Sequence, residues 1–233
     1  MSNVAIITAR GGSKRIPKKN IRDFLGKPII AYSISAALES RLFDEVMVST
    51  DSSEIAEVAE KFGAKIPFLR SEKNSDDYST TADVLHEVLT MYKERGKIFD
   101  LMCCIYPTAP FITAKKLLNA ATYLNEKCGD ALMPVVPFSF PPLRGMVIRD
   151  GGLCYKWQEY AKMRSQDLEL IYHDAGQFYF YDAKKFAENA IKKIVPYILN
   201  ELEVQDIDNL TDWKLAEIKF QVMEQNNVDC YKS

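Results

Sequence analysis

The sequence predicts an α/β fold, with a mainly parallel β-sheet, helices on both faces and a small inserted segment. First, apolar runs of strand length alternate with stretches of helical period through the first 136 residues. Strands that alternate with helices favour parallel pairing, because crossover helices then cover both faces of the sheet. Second, this alternation stops after residue 136 and resumes near residue 173. Third, 47% of the 233 residues are hydrophobic, which is enough for a buried core.

The first part of the chain contains four predicted strands and four predicted helices. The strands are 4–9, 46–50, 66–69 and 101–106, each an apolar run bounded by polar or turn residues. Apolar residues recur on one helical face within 30–38, 55–62, 85–92 and 117–124. Pro28 precedes the first of these helices, where proline fits a first helical turn.

Residues 137–172 break the alternation. Two short alternating runs, 146–149 and 153–157, flank Gly151 and Gly152, and this pattern predicts a β-hairpin. A strand at 177–181, a helix at 183–190 and a last helix through 213–223 follow. We therefore expect residues 1–136 and 173–233 to form one α/β domain, and residues 137–172 to form an inserted subdomain.

Composition limits the function classes. Thirty basic and 32 acidic residues give a formal charge of -2, which does not favour a nucleic-acid-binding surface. The first ten residues hold about six apolar ones, too few for a signal peptide or a membrane span, so we expect a cytoplasmic protein without a membrane partner. An odd number of cysteines without a Cys-x-x-Cys pair predicts reduced thiols and no zinc site: Cys103, Cys104, Cys128, Cys154 and Cys230.

The densest chemical signal follows the first predicted strand. It reads Ala9-Arg10-Gly11-Gly12-Ser13-Lys14-Arg15-Ile16-Pro17-Lys18-Lys19-Asn20. Adjacent glycines let the backbone turn and approach a ligand, and five cations supply countercharge, so the loop suits a triphosphate. Ligands of open parallel sheets also gather at the carboxyl ends of strands. The loop matches neither the P-loop nor the dinucleotide fingerprint, which disfavours a dinucleotide-dependent oxidoreductase. A basic surface loop without a ligand remains the alternative.

Two aspartates near the last helix form a second candidate centre. Asp206 and Asp208 are two residues apart, so in an extended segment their carboxylates point to one side and can share a hard cation such as Mg²⁺. The same residues precede Trp213, where aspartate also serves as an ordinary helix N-cap. From these residues alone the N-cap is the preferred interpretation, although Asn209 or Thr211 could also cap that helix.

These motifs together resemble a known family. The matching residues are Arg10-Gly11-Gly12-Ser13-Lys14, Lys19-Asn20, Ser49-Thr50-Asp51, Phe68-Leu69-Arg70, Pro107-Thr108-Ala109-Pro110 and Asp206-Ile207-Asp208. In order and spacing they resemble the CMP-sialic acid synthetases (acylneuraminate cytidylyltransferases), over nearly the whole chain. Residues 164–169, 172–176 and 202–208 look like the pseudaminic acid cytidylyltransferase branch. Sialic acid enzymes usually have Asn-Gly-Ala and Gln-Pro-Thr where this chain has Asp174-Ala175-Gly176 and Tyr106-Pro107-Thr108.

The resemblance implies a Rossmann-like nucleotidyltransferase that joins CTP to a nine-carbon acidic sugar. It assigns the triphosphate to Arg10, Gly11, Gly12, Ser13, Lys14 and Lys19, with Arg10, Lys14 and Lys19 as the catalytic cations. It assigns the cytidine to Asn20, Arg70, Ser79 and Thr81, and Mg²⁺ to Asp206 and Asp208. A guanidinium that ends a strand suits a base carbonyl, although Arg70 could instead form a surface ion pair with Glu72 or Asp76.

The acidic sugar needs cations and hydrogen-bond donors for its carboxylate. The candidates are Arg164, Tyr172, His173, Asp174 and Gln177. A structural role for His173 is the alternative, and His86 is expected to be structural. The expected product is CMP-pseudaminic acid with pyrophosphate. The same reaction on N-acetylneuraminic or legionaminic acid, and a non-catalytic nucleotide-binding module, are the alternatives.

The insertion also predicts a homodimer. It carries apolar residues but is too short to bury them itself: Leu143, Val147, Leu153, Tyr155 and Trp157. Related synthetases form dimers through a comparable segment that reaches toward the neighbouring active site, so the resemblance allows Arg164 to serve the other subunit.

Overall fold

The computed structural model describes residues 2–76 and 78–230, with side chains described as far as residue 225. Within these residues the strands are β1 (Asn3–Thr8), β2 (Asp23–Phe24), β3 (Lys27–Pro28), β4 (Glu45–Ser49), β5 (Leu101–Ile105), β6 (Ala131–Pro137), β7 (Met146–Arg149), β8 (Gly152–Tyr155), β9 (Tyr172–Asp174), β10 (Phe178–Asp182) and β11 (Ile194–Ile198). The helices are α1 (Ile30–Ser40), α2 (Ser53–Lys61), α3 (Thr81–Glu94), α4 (Ala114–Glu126), α5 (Ala183–Ala187) and α6 (Leu210–Cys230).

A seven-stranded sheet forms the centre, in the order β11-β6-β10-β5-β1-β4 with β9 also paired to β6. β1 is parallel to β4 and β5, and β11 is parallel to β6. β10 is antiparallel to both β5 and β6, and β9 is antiparallel to β6. Strands β4, β1, β5, β6 and β11 therefore run in one direction, and the predicted α/β fold with a mainly parallel sheet is confirmed.

Helices cover both faces of this sheet. Alternate residues of β1 point to opposite faces: Ala5 and Ile7 join one buried cluster, and Val4 and Ile6 join another. The first cluster contains residues of α1, α2 and α4, and the second contains residues of α3 and α5. The central strands are buried on both sides, which explains why their sequences are continuous apolar runs and do not alternate.

The predicted strand at 66–69 is wrong. Only Lys65 bridges to the edge strand β4, opposite Met47. Pro67 has no N–H to donate to a strand ladder, so the segment leaves the edge of the sheet there. It returns at Arg70, whose N–H donates to Thr50 O at 2.8 Å. The predicted helix 183–190 is also too long, because α5 ends at Ala187 and Asn189 adopts a left-handed φ of 53°.

The insertion leaves and rejoins the sheet at one place. Pro137 at the end of β6 pairs with Tyr172 at the start of β9. Between them, the predicted hairpin is confirmed as β7 and β8, which form a separate two-stranded sheet. Asp150 and Gly151 join its strands with φ of 51° and 76°, and two positive φ values are typical of a type I′ turn. The division into an α/β domain and an inserted subdomain stays a prediction.

The cysteines with described side chains are free thiols. Cys103 and Cys104 are buried in β5, Cys128 is exposed and Cys154 is partly buried, whereas the side chain of Cys230 lies outside the described residues. Burial raises the pKa of Cys104 to about 12, which makes this thiol unreactive near neutral pH. Within residues 2–76 and 78–230, no helix has the length and apolar character needed to cross a membrane.

Candidate active site

The cation-rich loop, residues 10–20, lies at the carboxyl end of β1, the edge that its place in the sequence predicts. Buried Asn20 donates from Nδ2 to Arg10 O at 2.9 Å and so ties the two ends of the loop together. Ile16, also in this loop, is buried with Phe24, Ile207 and Trp213. Because one apolar cluster contains both Ile16 and Ile207, it brings the loop close to the distant segment 206–208.

The two glycines of the loop do different things. Gly11 donates its N–H to Asp51 Oδ1 at 2.8 Å, and a Cβ at this position would lie only 3.1 Å from Ser52 Cβ. A Cβ at Gly12 would meet no atom within 4 Å. Neither glycine adopts a positive φ. Close packing against Ser52 therefore favours glycine at 11, whereas Gly12 faces open space. The expected approach of this backbone to a ligand stays a prediction.

A cleft of about 410 Å³, the loop cleft, opens above this loop. It is lined by Thr8, Arg10, Ser13, Lys14, Arg15, Lys19 and Asn20. Burial lowers the pKa of Lys19, although Asp208 and Asp206 act to raise it. The lining carries four cations and no carboxylate, so the loop cleft suits a polyanion such as a triphosphate.

A second cleft of about 320 Å³, the Arg70 cleft, shares Thr8 and Arg10 with the first. Its other lining residues are Arg70, Asn74, Asp76, Ser79, Thr80, Thr81, Val84, Tyr106, Pro107 and Thr108. Arg70 is buried and donates from Nε to Ser49 Oγ at 3.0 Å and from Nη2 to Ser49 O at 2.6 Å. Burial lowers its pKa, while Asp51 and Glu87 oppose this shift. These bonds fix the guanidinium plane without using all five N–H donors of the group.

The remaining predicted cytidine contacts lie at the start of α3. Ser79 donates from Oγ to Asp76 Oδ1 at 2.6 Å, and Thr81 Oγ1 lies 3.5 Å from the hydroxyl of Tyr106. Thr80 caps the helix through a reciprocal capping box with Asp83. Three of the four predicted cytidine residues, including Arg70, thus line one cleft, whereas Asn20 lines the loop cleft next to it.

Asp206 and Asp208 lie beside the loop. Arg15 contacts both carboxylate oxygens of Asp208, at 2.7 and 2.8 Å, and Lys19 donates from Nζ to Ile207 O at 2.8 Å. Asn209 Oδ1 accepts the N–H groups of Thr211 and Asp212, at 2.8 and 3.0 Å, and so caps α6. The interpretation of Asp206 and Asp208 as the N-cap is therefore wrong. In the described part of the chain, no three His, Cys, Asp or Glu side chains group as a metal site.

Four of the predicted sugar residues lie on β9 and the bulge after it. β6 pairs Val135 with Asp174 and Leu132 with Phe180, so residues 175–177 bulge from one antiparallel run. Gln177 O accepts the N–H of Tyr106 at 2.8 Å, which places the bulge beside the Arg70 cleft.

The side chains at this corner have distinct partners. Asp174 accepts the hydroxyl of Tyr179 at 2.9 Å and the N–H of Gly176 at 2.8 Å. His173 packs against Phe138, with ring centroids 4.9 Å apart. Gln177 is buried and donates from Nε2 to Glu203 O at 2.5 Å, but its Oε1 has no hydrogen-bond partner among the described residues.

Tyr172, the fourth residue of this set, is exposed at the base of the insertion. Arg164 lies within the insertion and donates from Nε to Asp167 Oδ2 at 2.8 Å, within its own turn. The described contacts of Arg164 stay within the insertion and do not link it to the other sugar candidates. His86 stacks on Phe186 with centroids 4.6 Å apart, which agrees with the structural role expected for it.

Three further residues belong to the site. Arg15 is part of the cation-rich loop, but its sequence position alone assigns it no partner. Asp51 stands within a matched motif without an assigned role, and Tyr106 stands where the sialic acid enzymes usually have glutamine. The signal for Asp51 is its place at the end of β4, next to the carboxyl end of β1. Tyr106 holds the corresponding place at the end of β5. Ends of neighbouring parallel strands meet at one edge, so this placement could have identified both.

Comparisons with known proteins agree with this geometry. The family model described as cytidylyltransferase matches residues 4–232. A pseudaminic acid cytidylyltransferase of Campylobacter jejuni is 40% identical over 97% of this chain and 99% of its own length. The CMP-N,N'-diacetyllegionaminic acid synthase of Legionella pneumophila is 36% identical over 97% of this chain and 98% of its own.

Solved structures share the fold. CMP:2-keto-3-deoxy-manno-octonic acid synthetase, solved in complex with CTP, superposes with a TM-score of 0.68 at 17% identity, and covers 97% of this chain and 100% of its own. At this identity the likeness concerns the fold alone. The family model and the full-length relatives are decisive: this chain belongs to the cytidylyltransferase family of nucleotidyltransferases.

Proposed function

We propose that the protein transfers CMP from CTP to the anomeric hydroxyl of pseudaminic acid and releases pyrophosphate. The observation that carries this proposal is the 40% identity, over almost the full length of both chains, to a pseudaminic acid cytidylyltransferase. The legionaminic acid relative is less similar, at 36%. Two joined clefts of the right chemistry, one basic and one built around a buried arginine, support a nucleoside triphosphate as the donor.

The arrangement of the clefts fits an extended nucleotide. Cytosine takes the Arg70 cleft and the triphosphate takes the loop cleft, with Arg10 at their junction. The anomeric hydroxyl attacks the α-phosphorus in line, and pyrophosphate departs from the opposite side. Lys14, Lys19 and Arg10 neutralise the charge that develops on the departing group, so that positioning and electrostatics supply most of the rate.

Enzymes of this class generally use a divalent metal, and we assign Mg²⁺ to Asp206 and Asp208. The donor set fits, because Mg²⁺ typically takes one or two carboxylates and completes its shell with water and substrate phosphates. A site of this kind needs no cluster of three protein ligands. When bound, the ion supplies further charge neutralisation at the phosphates.

The sugar takes the corner formed by β9 and the bulge. The buried Gln177 Oε1, which has no hydrogen-bond partner among the described residues, offers an acceptor to a hydroxyl or amide N–H of the sugar. His173 is exposed there and can donate to the sugar carboxylate. Asp174 fixes Tyr179 beside Tyr106 and so shapes the wall between sugar and nucleotide.

A homodimer through the insertion completes the proposal. Met146, Ile148, Leu153 and Tyr155 share one face of the β7–β8 hairpin by register. Ile148 is 77% exposed and Leu153 is 69% exposed. Exposed apolar side chains in one contiguous patch favour a partner surface, and a second copy offers the same patch. Arg164 lies on this segment, so its place in the sugar site would be in the partner subunit.

The test is an assay of pyrophosphate release and CMP-sugar formation. The protein is incubated with Mg²⁺, either CTP or ATP, and pseudaminic, N-acetylneuraminic or N,N'-diacetyllegionaminic acid. We expect efficient turnover only with CTP and pseudaminic acid, because misplaced polar groups leave buried donors unpaired at a cost of about 1–3 kcal/mol each. A preference for another sugar would contradict the assignment of pseudaminic acid as the substrate. Binding of CTP without formation of any product would identify a non-catalytic nucleotide-binding module.

A further inference from the structure

The ion pair between Arg15 and Asp208 has no part in the proposed reaction. Both guanidinium Nη atoms of Arg15 contact the carboxylate of Asp208, at 2.7 and 2.8 Å, across 193 positions of sequence. The two side chains are 68% and 40% exposed. Asp208 is a metal ligand in the proposed function, so the inference below rests on that proposal.

The pair is not needed to place Asp208. Ion pairs as exposed as this one contribute little to stability. The backbone N–H of Asp208 donates to Asp212 Oδ2 at 2.9 Å, and the neighbouring Ile207 is buried and accepts a hydrogen bond from Lys19 Nζ. These contacts fix the segment by themselves. Arg15 instead occupies both carboxylate oxygens of Asp208, which a metal cation would otherwise coordinate.

Nucleotide binding gives Arg15 a different partner. Arg15 lines the loop cleft together with Arg10 and Lys14. A guanidinium fork binds phosphate oxygens as well as it binds a carboxylate, so a triphosphate in this cleft competes with Asp208 for Arg15. We propose that Arg15 is a positioning residue that covers Asp208 until the triphosphate binds, so that the divalent cation enters together with the nucleotide and not before it.

Thermodynamic linkage between nucleotide binding and cation binding allows this proposal to be tested without the sugar. If the triphosphate releases Asp208, nucleotide and cation raise each other's affinity by the same factor. Removing Arg15 exposes Asp208 permanently. The cation then binds more tightly without nucleotide, and the coupling between the two ligands becomes smaller.

The experiment measures binding of Mn²⁺ by electron paramagnetic resonance of the free ion, with the full chain and no nucleotide. We expect Arg15→Gln to lower the Kd for Mn²⁺ about tenfold. The matched control is Lys18→Gln, which removes one cation from the same loop but breaks only the exposed pair with Glu54; its Kd should stay within about twofold. Adding Asp208→Asn to Arg15→Gln should abolish the gain.

A calorimetric titration of CTP with and without Mn²⁺ supplies the second readout. The gain in CTP affinity caused by Mn²⁺ should be about tenfold smaller in Arg15→Gln than in the wild type. An unchanged Mn²⁺ affinity, an equal gain in Lys18→Gln, or a gain that survives Asp208→Asn would each overturn the proposal. If Arg15→Gln fails to fold, Arg15→Lys is the substitute, because it keeps the positive charge but lacks the two-pronged guanidinium group. An unchanged Mn²⁺ affinity in Arg15→Lys would equally refute the proposal. Neither titration contains sugar, so their outcome is independent of whether CMP-sugar forms.

Discussion

In the loop after β1, charged side chains meet partners from distant parts of the chain, whereas in the insertion after β6, apolar side chains lie exposed. Arg15 and Lys19 reach the segment 206–208, and buried Asn20 holds the loop backbone. In the insertion, Arg164 pairs only three residues away with Asp167, and Ile148 and Leu153 face solvent.

The two regions therefore differ in what their side chains suit. The residues that line the loop cleft all come from one chain, and their four cations suit a ligand of opposite charge. The insertion lacks a surface to cover its apolar face, and polar solvent cannot supply that. Changes in the first region should therefore alter catalysis at constant assembly, and changes in the second should alter assembly first. Four sets of variants test that division.

Asp208→Asn should have the largest effect on turnover. It keeps the size of the side chain but removes the charge that would attract Mg²⁺ at the proposed metal site, so we expect pyrophosphate release to fall about 100-fold or more. The melting temperature should hardly change, because Asn209 caps α6. Asp206→Asn should behave similarly, and added Mg²⁺ should partly restore activity. Asp150→Asn, an exposed carboxylate lost from the hairpin, is the control; equal turnover in all three variants would remove the aspartates from the mechanism.

Arg70→Lys should weaken nucleotide binding. The ammonium group keeps the charge but cannot reproduce the fork held by Ser49. Loss of one charge-assisted hydrogen bond costs about 1.5–3 kcal/mol, so KM for CTP should rise about tenfold to a hundredfold. Steady-state kinetics at saturating sugar measures this. Arg95→Lys, on the exposed end of α3, is the matched control. A KM unchanged in both variants would indicate that cytosine binds outside the Arg70 cleft.

Ile148→Asp should prevent formation of the proposed dimer. A charge in the centre of the exposed apolar face opposes its burial, while the α/β core is untouched. Sedimentation velocity should show a monomer, with activity lost only as far as the partner contributes to the site. Arg149→Gln, the next residue on the same strand with its side chain on the other face, should remain dimeric. A wild-type protein that sediments as a fully active monomer would contradict the dimer itself.

Asn209→Ala should have the smallest effect. It removes the cap of α6 and should lower the free energy of unfolding by about 1 kcal/mol, measured by urea denaturation. Turnover at a temperature well below the melting point should stay near normal, since the carboxylates of Asp206 and Asp208 remain. A strong loss of turnover without loss of stability would instead make Asn209 part of the metal site.

Most of the fold was predictable because its signals are local. The strands of the parallel core are buried on both faces and appear as apolar runs, and the hairpin appears as two alternating runs around glycines. The prediction of a strand at 66–69 was wrong because it gave the apolar character of these residues more weight than Pro67, which removes a ladder hydrogen bond. The predicted end of helix α5 was too late, because a single residue with left-handed backbone, Asn189, terminates the helix.

The candidate site likewise has features that the sequence predicts and features that it does not predict. The amino-acid sequence is enough to show which residue types are available for phosphate, metal and sugar, because each motif is a short stretch of characteristic composition. The contacts between these residues follow from tertiary packing: Asn209 and not the aspartates caps α6, and Arg15 pairs with Asp208. These pairings depend on one buried cluster that contains Ile16 and Ile207, and packing between segments so distant in sequence leaves no local pattern.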